Sequence, residues 1–164
     1  MRQILLTLLL VVGTQMASAQ KANWITADDL LRNEPNTWME FRKDFQLGMK
    51  PKKVEACIAA DSKYWLWVNG KLAVFEGGLK RGPNRTDTYY DVVDLAPYLR
   101  KGQNDVRLLL CFFGRQGFSH VSSGQAGVIV DAPSIGLVTD ASWQSRRLQA
   151  YQTCDAPYTN FRLA

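Results

Sequence analysis

The stretch YWLWVNGK, residues 64–71, decides the fold class. Its aromatic and β-branched residues favour a strand, and the Asn-Gly pair that follows is the strongest short signal for a β-hairpin because both residues tolerate positive φ. Successive side chains of a strand point to opposite faces, so Tyr64, Leu66 and Val68 share one face. The stretch therefore predicts a β-hairpin with a normal apolar row on its inner side.

Two tryptophans, Trp65 and Trp67, fall on the other face of that strand. Side chains two residues apart in a strand are about 7 Å apart, and sugars present apolar C–H faces that stack on aromatic rings. The same pair also suits ordinary packing beneath covering loops, or docking against a neighbouring domain that would otherwise leave an apolar patch. The sequence leaves these three interpretations open.

Short strand patterns and turn signals continue along the rest of the chain. MEFRKDFQL (39–47) alternates, and NDVRLLLCFF (104–113) is a long apolar strand that must be central. Before it, Asp94 is predicted to cap a short turn and Gly102 to follow its end. About eight such strands, without a convincing amphipathic helix, predict an all-β antiparallel jelly-roll β-sandwich.

The first residues have the layout of a secretory signal peptide. Arg2 precedes an apolar run over 4–12, and Ala-Ser-Ala at 17–19 is a small-x-small cleavage site. We therefore expect an exported protein, periplasmic or extracellular, that is not membrane-bound after cleavage; an uncleaved anchor is the alternative. The predicted organisation is a signal peptide (1–19), an irregular N-terminal segment (20–38), the β-sandwich (39–152), and a tail or start of a linker (153–164).

Charge and cysteine content exclude several classes of function. The formal net charge is +5, but the basic residues are scattered and no nucleic-acid-binding motif is present, so we predict no nucleic-acid partner.

Cys57 and Cys111 lie in apolar strand-like runs and are interpreted as small core residues. With Cys154 the count is odd, which argues against a disulfide framework and leaves one bridge open. His120 is the only histidine, so a zinc site has no support and no cofactor is predicted.

Ordered motifs in four stretches carry a resemblance to a known family. ADSKYWLWVNGKLAVFEGG (60–78) and DTYYDVVDLAPYLRKGQNDVRLLL (87–110) are similar to the galactose-binding-like β-sandwiches attached to bacterial glycosidases. ANWITADD (22–29) and CFFGRQGFSHVSSGQAGVIVDA (111–132) narrow the resemblance to the N-terminal domain of bacterial α-L-rhamnosidases. The resemblance covers most of residues 23–150.

The resemblance implies a module without catalysis. In that family, hydrolysis belongs to a downstream helical barrel, and this sequence offers no position that matches its acidic residues. The chain is therefore expected to be an accessory domain, and the downstream catalytic domain of the family would be its partner. Galactose-binding-like sandwiches often hold a structural calcium ion, but this sequence offers no ligand cluster for one, so calcium is not predicted.

The loop GRQGFSHVSSGQAG, residues 114–127, is the second candidate functional region. Long loops are often functional, and here Arg115 suits sugar hydroxyls while Phe118 suits stacking; contact with a neighbouring domain is the alternative. Hydrolysis needs two facing carboxyl groups, whereas Asp91 and Asp94 are best explained as turn and cap residues. The predicted carbohydrate-binding residues are Trp65, Trp67, Arg115, Phe118 and His120.

These observations favour an exported, non-catalytic accessory module of an α-L-rhamnosidase-like glycoside hydrolase. It would support the catalytic domain and bind a rhamnose-containing or other plant-type glycan. The alternative is a free-standing secreted carbohydrate-binding protein.

Overall fold

The computed structural model describes residues 21–79, 84–117 and 120–151, and these form two antiparallel β-sheets. The predicted all-β sandwich is confirmed. Within these residues no helix is long and apolar enough to cross a membrane. The predicted signal peptide, Cys154 and the tail at 153–164 lie outside the described residues.

The strands are β1 (Thr37–Leu47), β2 (Glu55–Asp61), β3 (Lys63–Val68), β4 (Lys71–Gly77), β5 (Asp91–Asp94), β6 (Gly102–Phe112), β7 (Gly127–Ala132), β8 (Leu137–Val138) and β9 (Gln144–Leu148), with 3-10 turns at Ala96–Tyr98 and Pro133–Ile135.

The two sheets contain five and four strands. Their orders are β4-β3-β6-β1-β9 and β5-β2-β7-β8. The apolar strand β6 occupies the centre of the larger sheet, as its composition predicted, and pairs with β1 along its whole length from Thr37↔Phe112 to Leu47↔Gly102. On this strand Val106, Leu108 and Leu110 face inward and are fully buried, while Arg107 between them faces outward and is exposed.

The core lies between the inner faces of the sheets. Tyr64, Leu66 and Val68 are fully buried, while the two tryptophans between them are only partly buried. The alternation predicted for β3 is therefore confirmed. The other fully buried large side chains include Met39, Phe41, Ile58, Leu95, Leu108, Leu110, Phe112 and Leu137.

The predicted hairpin connects β3 and β4. Asn69 and Gly70 have φ values of 51° and 76°, the positive values that a two-residue hairpin turn requires. The Asn69 side chain also donates to the Tyr98 carbonyl at 2.9 Å and to Asn104 Oδ1 at 2.8 Å. The turn is thus tied to the start of the central strand.

Asp94 caps the turn that precedes β6, as predicted. Its Oδ1 accepts hydrogen bonds from the amides of Val54 at 2.9 Å and Ala96 at 3.0 Å. Hydrogen bonds from these two amides lower the pKa of the carboxyl. Gly102, with φ of 88°, begins the strand in a conformation that glycine adopts at little cost.

The described cysteines are free thiols. Cys111 is buried in β6 and Cys57 is half-buried in β2. Burial raises the pKa of Cys111 to about 11, so this thiol stays protonated and behaves as an apolar group.

One contact joins the larger sheet to the edge of the smaller one. The Tyr64 hydroxyl donates to Asp91 Oδ2 at 2.9 Å, and the Gly78 amide donates to the same oxygen at 2.9 Å. Burial, together with Asp91, raises the pKa of the Tyr64 phenol. A Cβ added to Gly77 would lie 2.5 Å from Tyr64 Cζ, so the ring reaches Asp91 only because residue 77 has no side chain.

We expect Gly77→Ala to lower the free energy of unfolding by about 1–3 kcal/mol, because the added methyl group must displace a fully buried ring. Gly48→Ala is the matched control, since a Cβ there meets nothing within 4 Å. Urea unfolding followed by tryptophan fluorescence measures both variants. Equal stability of the two variants would contradict the close-approach explanation.

Candidate functional site

A buried carboxylate organises one end of the sandwich. Asp61, at the end of β2, is 7% exposed and accepts from Ser62 Oγ at 2.9 Å and His120 Nε2 at 3.0 Å. Ser122 Oγ donates to both oxygens at 3.1 Å, and Ser123 donates to Oδ2 from its amide at 2.6 Å and its hydroxyl at 2.7 Å. We refer to Asp61, Ser62, His120, Ser122 and Ser123 as the Asp61 hub.

The hub keeps Asp61 ionised. Burial alone would raise the pKa of its carboxyl, but the hydrogen bonds from His120, Ser123 and Ser62 outweigh burial, and the pKa lies below its usual value. The charge is thus compensated by a donor from the β2–β3 turn, Ser62, and by donors from the β6–β7 loop, His120 and Ser123. A carboxylate held this way fixes the positions of the groups around it.

The hub fastens the loop between β6 and β7. Gln116 closes this loop by donating to the Ser122 carbonyl at 2.8 Å and accepting from its amide at 3.2 Å. Ser62 Oγ accepts from the Phe113 amide at 3.2 Å, and the His120 ring packs edge-on against Phe113. The chain on either side of residues 118–119 is therefore held against the β2–β3 turn.

The Ser, His and Asp side chains of the hub are not arranged as a nucleophilic triad. Such a triad needs a serine hydroxyl hydrogen-bonded to the histidine. In the described part of the chain, the Ser122 and Ser123 hydroxyls both donate to Asp61, and the contact of His120 is also with Asp61. The group is a structural anchor with the histidine as one of its donors.

A cleft of about 710 Å³ opens beside the hub, and we call it the end cleft. A volume of this size is typical of small-molecule sites. It lies where β2 ends and β7 begins. Its lining includes Trp24, Ile25, Thr26, Ala60, Asp61, Arg85, Thr86, Asp87, Thr88, His120, Val121, Ser123, Gln125, Ala126 and Gly127.

Trp24 forms an aromatic wall of the end cleft. Ile25 bridges to Val128 with two backbone hydrogen bonds of 3.0 Å, which adds the N-terminal segment to the edge of β7. The indole then lies over Gly127, where an added Cβ would meet Trp24 Cε3 at 3.3 Å. Half of the Trp24 surface remains exposed, so the ring is fixed on one side and open on the other.

A compact turn forms the opposite polar wall. Asn84 Oδ1 accepts from the Thr86 amide at 2.8 Å, the Thr86 hydroxyl at 2.7 Å and the Asp87 amide at 2.9 Å. Its Nδ2 donates to Asp87 Oδ2 at 2.7 Å. This turn presents the neighbouring Arg85 and Thr88 to the cleft.

The carboxyl groups of the end cleft suit binding better than acid–base catalysis. Hydrolysis of a glycosidic bond needs a general acid with a raised pKa, facing a second carboxylate. Asp61 has a lowered pKa and is saturated with donors, and Asp87 accepts from Asn84. Among the described residues, no group of three His, Cys, Asp or Glu side chains is arranged to hold a metal ion.

The predicted binding residues are divided between two regions. Trp65 lies on the outer face of the larger sheet, stacked against Trp38 with ring centroids 5.5 Å apart, and Trp38 also stacks on Tyr151 at 4.3 Å. Trp67 lies on the same face and lines a separate groove. Neither tryptophan lines the end cleft, whereas His120 does.

The loop residues lie at the sandwich end. Arg115 is exposed and does not line the end cleft, whereas His120 is buried in the hub and forms part of the cleft wall. Phe118 lies outside the described residues. Carbohydrate binding by these residues stays a prediction.

Sequence reasoning missed Trp24, Arg85 and Asp87. Residues 22–29 carry part of the family resemblance but fall in the predicted irregular segment, and no prediction was made for residues 84–87. The available signal was one tryptophan in a polar stretch and an Asn-x-Thr-Asp turn. Neither indicates that the two segments meet across a cleft.

Comparison with known proteins identifies a domain-sized match. No protein-family model matches the chain, and no curated protein does. A solved GH78 rhamnosidase of Bacillus sp. GL1 is 28% identical over 80% of this chain, with a TM-score of 0.64. The α-L-rhamnosidase of Streptomyces avermitilis, solved with L-rhamnose, is 20% identical over 86% of the chain, with a TM-score of 0.56. This chain covers 14% of each of these enzymes.

A lectin provides a further match of fold. The lectin of Pleurotus ostreatus in complex with GalNAc is 17% identical, with a TM-score of 0.55, over 85% of this chain and 40% of the lectin. At such identity the match concerns the fold alone. The resemblance to a domain of α-L-rhamnosidases is confirmed, and the chain corresponds to a small part of those enzymes.

We expect the Asp61 hub to make stability depend on acid pH. Because the folded pKa of Asp61 lies below its ordinary value of 3.8, the stability it contributes is fully present above that value and is lost as pH falls towards the folded pKa. Asp61→Asn should cost about 1–3 kcal/mol at neutral pH and give a flatter acid profile. Urea unfolding at a series of pH values measures this, with exposed Asp28→Asn as control. A profile for Asp61→Asn parallel to wild type would contradict the assignment.

Proposed function

We propose that this chain is an exported, non-catalytic accessory module of an α-L-rhamnosidase-like glycoside hydrolase, and that it binds a neutral sugar in the end cleft. The observation that carries the proposal is the end cleft itself, with a fixed, half-exposed indole opposite a polar wall. The similarity to a domain of rhamnosidases supports the accessory role.

The walls of the end cleft match the two faces of a sugar. The open side of Trp24 offers an apolar surface on which C–H groups of a sugar ring can stack. Arg85, Asp87 and Gln125 offer donors and acceptors for hydroxyl groups. Arg85 and Asp87 bring one positive and one negative charge to the cleft, so a neutral, hydroxyl-rich ligand is favoured over a charged one.

Rigid support of the lining favours binding without rearrangement. The Asp61 hub holds Ser123 and the neighbouring residues, and the Asn84 turn holds Asp87. Preorganised side chains lose less conformational entropy when a ligand binds. We therefore expect the empty and occupied clefts to have the same backbone.

Two ligands named in the matching structures define the first probes. L-Rhamnose accompanies the Streptomyces avermitilis enzyme, and GalNAc accompanies the Pleurotus ostreatus lectin. Both are neutral sugars with an apolar ring face. L-Rhamnose is tested first because a rhamnosidase gives the match with 28% identity and a TM-score of 0.64, against 17% and 0.55 for the lectin.

We expect calorimetric titration of the chain with L-rhamnose to show binding, and Trp24→Ala to weaken it by about tenfold or more because the stacking surface is removed. Tyr89→Ala is the matched control, since Tyr89 is an aromatic residue of similar exposure that does not line the end cleft. Absence of binding to L-rhamnose and GalNAc, or equal binding by the two variants, would contradict the sugar site.

The accessory assignment has its own test. A chromogenic aryl α-L-rhamnoside incubated with the chain should release no product beyond the buffer blank. Steady, protein-dependent release that survives repurification would contradict the assignment of this chain as a non-catalytic module.

A further inference from the structure

A second surface, on the outer face of the larger sheet, carries an unusual row of charge. Strand register places Trp67 of β3 opposite Arg107 of β6, and Arg107 opposite Arg42 of β1. On β9, Arg146 lies opposite Glu40 of β1. Glu40 is the outward-facing residue that precedes Arg42 on β1. We call Trp67, Arg107 and Arg42, which lie side by side on β3, β6 and β1, the arginine row; Arg146 lies next to it.

The arrangement of charges on this face does not maximise stability. Arg42 and Arg107 lie directly opposite each other, and so do Asp44 and Asp105 in the next outward-facing row. Like charges directly opposite on neighbouring strands are destabilising, whereas the opposite pairing would be favourable. The sequence thus gathers positive charge in one row where mixed pairs would be more stable.

Each arginine is paired with a carboxylate: Arg42 and Arg146 use both Nε and Nη2 for this, and Arg107 uses Nε. Arg42 pairs with Asp44 and Arg146 with Glu40, while Arg107 Nε donates to Asp105 Oδ2 at 3.1 Å. In the described part of the chain, the two Nη groups of Arg107 have no hydrogen-bond partner. Half of the Arg107 side chain is exposed. Asp105 therefore orients the guanidinium group, and its two Nη groups, which we call the Arg107 fork, are available to a ligand.

Trp67 adds an aromatic surface beside that fork. Unlike Trp38 and Trp65, which stack on each other, the Trp67 ring has no aromatic partner within the described ranges. It lines a groove of about 740 Å³ with Asn69, Asp105, Arg107, Leu109, Arg146 and Tyr151, among others. An indole and a free guanidinium fork therefore share one open groove.

We propose that this face binds an acidic glycan, with a uronate ring stacked on Trp67 and its carboxylate on the Arg107 fork. Guanidinium groups bind carboxylates through two parallel hydrogen bonds, and apolar faces of sugar rings stack on indoles. The net charge of +5 favours the approach of a polyanion. This site differs from the end cleft in place and in ligand class, and it does not depend on it.

The chemistry of the surface favours a uronate over a phosphate polymer. Glu40, Asp105 and Asp44 border the arginine row, so dense anionic charge would meet repulsion on both sides. A uronic acid polymer carries one carboxylate per ring and presents an apolar face beside it. That combination matches one free fork next to one free indole.

The test is calorimetric titration of the full chain with polygalacturonate and with its methyl-esterified form, which has the same backbone without the charge. We expect polygalacturonate alone to bind, with affinity that falls as salt is raised. Arg107→Gln should weaken binding by about tenfold, since hydrogen bonds to charged groups are lost. Trp67→Ala should also weaken it, and circular dichroism checks that both variants fold.

Controls separate this site from general charge attraction and from the end cleft. Lys53→Gln removes one exposed positive charge on a residue outside the groove and should leave binding to polygalacturonate unchanged. Trp24→Ala should also leave it unchanged. The proposal is overturned if the esterified polymer binds equally, if Arg107→Gln and Lys53→Gln have the same effect, or if single-stranded DNA competes as well as polygalacturonate.

Discussion

The buried carboxylate of Asp61 is the constraint on which the end of the sandwich depends. A charge removed from water is costly unless hydrogen bonds compensate it, and here donors from the β2–β3 turn and from the β6–β7 loop do so. Because those donors come from segments far apart in sequence, satisfying one carboxylate brings the segments together. Asp61, His120 and Ser123 also line the end cleft, so the same carboxylate orders part of the cleft wall.

The two candidate sites use different properties of the same sandwich. The end cleft is built from connections between strands, where backbone irregularity allows Trp24 and the Asn84 turn to approach each other. The arginine row is built from the regular register of β3, β6 and β1, which repeats side chains at fixed intervals. Loops therefore form a cleft whose size suits a small ligand, while the sheet face offers a more open groove that suits a polymer. A module with both could position a glycan that contains neutral and acidic sugars.

The sequence predicted the regular parts of this molecule and missed what depends on long-range contact. Alternation in β3, the Asn69-Gly70 hairpin, the Asp94 cap and the central position of β6 are local or compositional signals, and the structure confirms them. Asp61 was not predicted as a site residue because nothing in the local sequence distinguishes a buried carboxylate from an exposed one. Trp24 was overlooked because its position depends on a bridge to Val128, more than a hundred residues away.

The most direct test of the sugar site is to map it on the molecule by NMR. L-Rhamnose is added to the ¹⁵N-labelled chain, and amide and indole chemical shifts are followed. The account predicts saturable shifts at the Trp24 indole N–H and at the amides of Ser123, Gln125 and Gly127, with the strands of the larger sheet unaffected. Saturable shifts confined to the Trp67 groove, or no shifts at high sugar concentration, would contradict it.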